Sequence, residues 1–213
     1  MFYTFARNFV AVLLFILNGN AHYLNRDKIP NDENYIMVAP HRTLWDPVYM
    51  AIGSRPKKFI FMAKEELFRN PLLGFILRKV GAFPVNRDKP GPSAIKTPTK
   101  LLKSGDRSLI MFPSGTRHST DLKGGVAVIA KMAKVRIVPS VYQGPLKLSH
   151  LLFLRKRVDV NFGEPIDISD IKKLNAEGLA EVERRLNAAF DKLDKEINPD
   201  FVYIPTPKKE KKK

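Results

Sequence analysis

The chain reads as α/β: a single domain built on a mostly parallel or mixed central sheet, covered by helices on both faces, with an apolar helix at the N-terminus. Three observations predict this. Short apolar runs bounded by turn residues recur at Tyr35–Ala39, Phe59–Ala63, Ser108–Phe112 and Val135–Tyr142. Continuous rather than alternating apolar character is what strands buried on both faces require. Helical segments separate them, as crossover connections between parallel strands do. At 213 residues with 44% hydrophobic residues, the chain is large enough for one sizeable core.

In order, Phe9–Leu17 is an uninterrupted apolar run preceded by Phe2, Tyr3, Phe5 and Arg7. A spanning helix needs about 20 apolar residues, so the run is short for a full crossing. The residues after it, Asn18-Gly19-Asn20-Ala21-His22, make a poor signal-peptide cleavage site. A core helix, an interfacial helix and an uncleaved anchor all fit the pattern; terminal aromatics and a basic body behind them favour the interfacial helix. The expected organisation is an apolar membrane-contacting segment over residues 1–30, an α/β domain over 31–200 and a basic tail over 201–213.

After the polar turn Asn31–Asn34 the first central strand runs into Pro40-His41-Arg42-Thr43-Leu44-Trp45-Asp46-Pro47. Leu44–Gly53 is expected to be helical, ending at Gly53-Ser54-Arg55-Pro56. The strand at Phe59–Ala63 leads to Leu72–Lys79, a short helix apolar nearly all round, as suits either an ordinary core helix or a lipid contact. Gly81–Arg87 is a brief strand, and Ser93–Lys103 a helix despite Pro98. The strand at Ser108–Phe112 enters Pro113-Ser114-Gly115-Thr116-Arg117. Lys123-Gly124-Gly125 opens a helix over Val126–Met132. The Val135–Tyr142 strand carries Pro139 near its end, where a ladder donor can be spared. Arg157–Gly163 alternates like a half-exposed edge strand, and Asn175–Asn198 is a charged amphipathic helix.

The net charge is +16, of which the six residues Lys208–Lys213 contribute +4, so the body itself is basic. Such a surface seeks an anionic partner: nucleic acid, an anionic membrane or a phosphorylated substrate. A nucleic-acid-binding domain would interleave aromatics with cations on one face and gives the apolar N-terminus no role. That interleaving is missing, and nucleic acid is not an expected partner. The chain has no cysteine, which excludes disulfides, thiolate metal sites and a cysteine nucleophile.

Ligands of α/β sheets gather at the carboxyl ends of strands. His41, Arg87 and Arg117 all fall at such exits. Imidazole can take a proton from a hydroxyl near neutral pH, and a carboxylate five residues on can fix its tautomer. On an ideal helix that spacing puts the two side chains about 140° apart, so they meet only if His41 lies on the entry loop and bends back. By spacing alone, a loop histidine beside a helix-start aspartate is the more ordinary reading. Arginine forks bind phosphate oxygens, and the turn at Gly115 can aim backbone N–H groups at an anion. No Walker A sequence and no G-x-S-x-G elbow is present.

Taken together these stretches resemble, in order and spacing, the four blocks of the glycerolipid acyltransferase family, and within it the bacterial 1-acylglycerol-3-phosphate acyltransferases. His41-Arg42-Thr43-Leu44-Trp45-Asp46 looks like its H-x4-D block and Gly81–Arg87 like its Gly-to-Arg block. Phe112-Pro113-Ser114-Gly115-Thr116-Arg117 looks like F-P-E-G-T-R, and Val138-Pro139 like the V-P pair of its fourth block. The resemblance covers about Tyr35 to Tyr142. It implies transfer of a fatty acyl group from a thioester to the free hydroxyl of lysophosphatidic acid, giving phosphatidic acid. His41 would be the general base and Asp46 its orienter. Arg87, Ser114, Gly115, Thr116 and Arg117 would bind the acceptor, and the Val138–Pro139 region would offer an oxyanion donor. No metal and no resident cofactor is implied; acyl-CoA or an acyl carrier protein thioester is the co-substrate. Glycerol 3-phosphate or another lyso-lipid is the nearest alternative acceptor. The implied place is the cytoplasmic face of the cell membrane, on an anionic surface. Two positions depart from the family pattern: Ser114 stands where Glu is usual and Asn86 where Asp is common, so the pocket loses negative charge.

Overall fold

The computed structural model describes residues 1–86, 89–114, 124–153 and 155–204. Seven strands form one sheet: β1 (Ala21–Leu24), β2 (Ile36–Val38), β3 (Lys58–Lys64), β4 (Ala82–Val85), β5 (Arg107–Met111), β6 (Ile137–Gln143) and β7 (Val158–Phe162). Their order is β1-β7-β6-β2-β5-β3-β4. Every neighbouring pair is parallel except β6 with β7. The helices are α1 (Phe2–Asn18), α2 (Asp46–Gly53), α3 (Pro71–Lys79), α4 (Ser93–Ser104), α5 (Gly125–Ala133), α6 (Leu148–Phe153) and α7 (Ala176–Ile197).

The two-period of the strands divides the core into two layers. Ile36 and Val38 face one side with Ile60, Leu109 and the apolar stripes of α4, α5 and α7. Tyr35, Met37 and Ala39 face the other with Phe59, Ile110 and the buried residues of α2. Both faces are covered, which is why the central strands are apolar throughout.

Three details depart from the sequence expectation. Arg157–Gly163 was expected to lie half-exposed at an edge, but all five residues of β7 are buried and β1 pairs outside it. The polar side chains on β7 are matched instead of solvated: Asn161 meets Asn25, Glu196 and the Leu193 carbonyl, and Asp159 takes Arg157. Strand β1 is only four residues, too short for its pattern to be read. Pro139 is the third of seven residues in β6, at a handover: Ile137–Pro139 pair with β2, and Ser140–Gln143 with β7. A missing N–H is tolerated where the ladder changes partner.

Helix α1 packs on α2 and α6, and Arg7 ties it down by donating to the Lys57 carbonyl at 2.6 Å. Its outer face leaves Phe5, Phe9, Val12, Phe15 and Ile16 exposed, and α3 does the same with Leu72 and Phe75. No helix among the described residues is long and apolar enough to cross a membrane.

Between α3 and β4 the chain reverses at Gly81, with φ +87° and its N–H donating to the Arg78 carbonyl at 3.0 Å. A Cβ there would meet the Phe59 carbonyl oxygen at 2.9 Å, in a backbone region that L-residues rarely occupy. Gly81→Ala is therefore expected to reduce stability by about 1–3 kcal/mol. The measurement is a lower denaturant midpoint at unchanged slope.

Candidate active site

The four central strands β2, β3, β5 and β6 run in one direction, so their exits share one edge of the sheet. There, residues 41–45 make a tight loop between β2 and α2. The side chain of Asp46, in the first turn of α2, is wholly buried. A lone carboxylate would not survive there unpaired, and this one is saturated. Its Oδ2 accepts the main-chain N–H of Arg42 at 2.6 Å and of Thr43 at 2.8 Å, and faces His41 Nδ1 at 3.1 Å. Its Oδ1 accepts the Thr43 hydroxyl at 2.6 Å. The same hydroxyl oxygen receives the N–H groups of Trp45 and Asp46, each at 3.2 Å, and so caps the helix from upstream. A negative charge in the first turn also suits the helix dipole.

The His41 ring lies flat on Phe112, with centroids 4.2 Å apart and planes 23° apart. Phe112 leaves β5, so two strand exits fix the imidazole: one by hydrogen bonding, the other by stacking. The loop is also gripped from β6. Trp45 Nε1 donates to the Tyr142 hydroxyl at 2.9 Å and to the Pro145 carbonyl at 3.1 Å. Burial pushes the Tyr142 phenol well above its ordinary value, so it stays a neutral group able to accept from Trp45.

Two cavities open on His41. One, of about 390 Å³, runs under α1 and α3 and is lined by Val10, Leu44, Phe61, Leu77, Ile110 and Phe112 among others. The second, of about 320 Å³, is lined by Met62, Val85, Asn86, Ile95, Met111 and Ile129. Both walls are overwhelmingly apolar.

Of the residues expected at the site, His41 and Asp46 meet directly. Ser114 is buried at the exit of β5, in a third recess that also touches Arg42 and Asp194. Arg87, Gly115, Thr116 and Arg117 lie outside the described residues. Val138 and Pro139 are buried in β6, in register with Met37 and Val38, and line neither cavity that opens on His41. Thr43, Phe112 and Tyr142 are site residues that the sequence reading did not single out; only their nearness to the motif blocks pointed to them.

The Acyltransferase family model matches residues 20–143, from β1 to the end of β6. The chain belongs to the acyltransferase family. A 1-acyl-sn-glycerol-3-phosphate acyltransferase of Streptococcus pneumoniae (strain ATCC BAA-255 / R6) is 62% identical over 197 residues, 92% of this chain and 74% of that one. Its counterpart in Bacillus subtilis (strain 168) is 38% identical over 199 residues, covering 92% of this chain and 98% of the relative. The crystal structure of the 1-acyl-sn-glycerophosphate (LPA) acyltransferase PlsC from Thermotoga maritima superposes with a TM-score of 0.69 at 21% identity, over 94% of this chain and 81% of that one. It shares the fold. The protein is thus an acyltransferase enzyme, and the edge carrying His41 is its candidate active site.

Thr43→Val keeps the side chain's shape while removing the hydroxyl that serves both Asp46 Oδ1 and the helix cap. In this acyltransferase it is expected to cost about 1–3 kcal/mol of stability. A lower turnover number should accompany a lower melting temperature when both are measured on the purified enzyme.

Proposed function

We propose that the enzyme moves a fatty acyl group from an acyl thioester to the free hydroxyl of 1-acylglycerol 3-phosphate, giving phosphatidic acid for phospholipid synthesis. The observation that carries this reading is the His41–Asp46 pair at the mouth of two apolar cavities. Nδ1 faces the carboxylate, which leaves Nε2 as the atom directed at a substrate. The acceptor oxygen attacks the thioester carbonyl as its proton passes to Nε2. Collapse of the tetrahedral adduct expels the thiolate, which recovers that proton from the imidazolium. Asp46 holds the tautomer and stabilises the transient cation.

General-base help supplies about 10²–10⁴-fold, so positioning of both chains must supply much of the remainder. Two apolar cavities meeting at one imidazole suit two acyl-bearing reactants. The relatives' names support lysophosphatidic acid as acceptor. Arg87 and Arg117, with Gly115, Thr116 and Ser114, are assigned to its phosphate on the family resemblance and on the net positive charge. The donor is an acyl carrier protein or coenzyme A thioester. The exposed apolar faces of α1 and α3, on a chain of net charge +16, fit peripheral attachment to the anionic cytoplasmic face of the cell membrane.

His41→Ala is expected to reduce turnover by about 10²–10⁴-fold, assayed with lysophosphatidic acid and an acyl thioester in mixed micelles; undiminished turnover would reject the mechanism. A second measurement tests the surface. Phe9→Asp combined with Phe75→Asp should weaken sedimentation with anionic vesicles, and wild-type binding should fall as salt is raised past about 0.15 M, where the Debye length nears 8 Å. Binding insensitive to both would contradict interfacial attachment.

A further inference from the structure

Arg42 lies between His41 and Thr43 in the chain, yet its side chain lines neither cavity that opens on His41. It turns the other way and is 7% exposed. Its guanidinium forks onto both carboxylate oxygens of Asp194 in α7 and donates to the Tyr142 carbonyl at 2.6 Å. The rings of Phe201 and Tyr203, from the segment after α7, lie 4.7 and 5.2 Å from it. Asp194 is held in turn: Gln143 Nε2 donates to its Oδ1 at 3.0 Å and to its carbonyl at 2.9 Å. The cation also sits at the C-terminal turn of α7, where the helix dipole favours positive charge.

A buried ion pair is weak support for stability as such; fixing one geometry is its better-attested use. Here the geometry it fixes is close at hand. The main-chain N–H of Arg42 makes the shortest bond to Asp46 Oδ2, the same oxygen that faces His41.

We propose that Asp194 is a positioning residue for the His41–Asp46 pair. It acts by holding Arg42, with Phe201 and Tyr203 closing over the guanidinium. This rests on the reading of His41 as general base.

The test compares Asp194→Asn, Arg42→Lys and the double variant by steady-state kinetics with lysophosphatidic acid and an acyl thioester, alongside melting temperatures. Each single change is expected to lower kcat about ten- to a hundredfold, the scale of a displaced reacting group, with both KM values unchanged. The double variant should be no worse than the weaker single, because both act through one contact. Unchanged kcat in Asp194→Asn with a lowered melting temperature would overturn the proposal, as would a double effect equal to the product of the singles. Should Asp194→Asn fail to fold, Phe201→Leu with Tyr203→Leu removes only two half-buried rings: a lower kcat at constant KM supports the proposal, and an unchanged kcat overturns it. Failure of the underlying reading is separate, since His41→Ala would then retain turnover whatever Asp194 does.

Discussion

The buried carboxylate of Asp46 is the constraint on which this end of the molecule depends. Taking a charge out of water is tolerated only when its lone pairs are met. Asp46 meets this demand almost entirely from the five residues before it: two main-chain donors, one hydroxyl and one imidazole. The loop conformation and the carboxylate's solvation are thus one fact. A loop that opened would strand the charge, and a carboxylate removed would release the loop. Because His41 supplies one of the four partners, its ring is placed by the same requirement that places the backbone.

Strand direction then decides what can reach that loop. Parallel β2, β4, β5 and β6 deliver His41, Asn86, Phe112 and Tyr142 to one edge without any long excursion. The single antiparallel step, β6 to β7, has a different effect. It leaves the chain at the far edge after Gly163, and α7, 22 residues and about 33 Å long, carries it back. The C-terminal turn of that helix consequently arrives beside Arg42. An all-parallel continuation would have ended at the wrong edge of the sheet.

Much of this was legible in the sequence, and the reason is physical. Strands buried on both faces are apolar without alternation, so Tyr35–Ala39 and Ser108–Phe112 announce themselves, and Pro and Gly mark their exits. The His41–Asp46 contact was legible as a condition, that the loop bend back, while the donors that bend it were not: main-chain N–H groups carry no residue identity, and Thr43 looks like any loop threonine. β7 misled because Asp159 and Asn161 alternate with valines just as solvated residues do; their partners, Arg157, Asn25 and Glu196, are scattered along the chain. The link from Arg42 to Asp194 spans 152 positions and leaves no local pattern.

The two sides of the loop finally differ in kind, and that difference is chemical. On the side away from His41, the loop is held by buried polar contacts: an ion pair, a carbonyl, a tryptophan N–H and a tyrosine hydroxyl. On the His41 side the walls are aliphatic and aromatic and leave open space. Polar packing behind and apolar room in front let a single imidazole be held firmly while its outer nitrogen takes no hydrogen bond from the described residues. If His41 is the base, as proposed, a hydrophobic wall would also keep competing water from it, which matters for a transfer that must prefer a lipid hydroxyl to hydrolysis. The net positive charge and the exposed apolar faces of α1 and α3 fit the proposed attachment to a lipid surface, from which reactants with fatty chains would reach such cavities most cheaply.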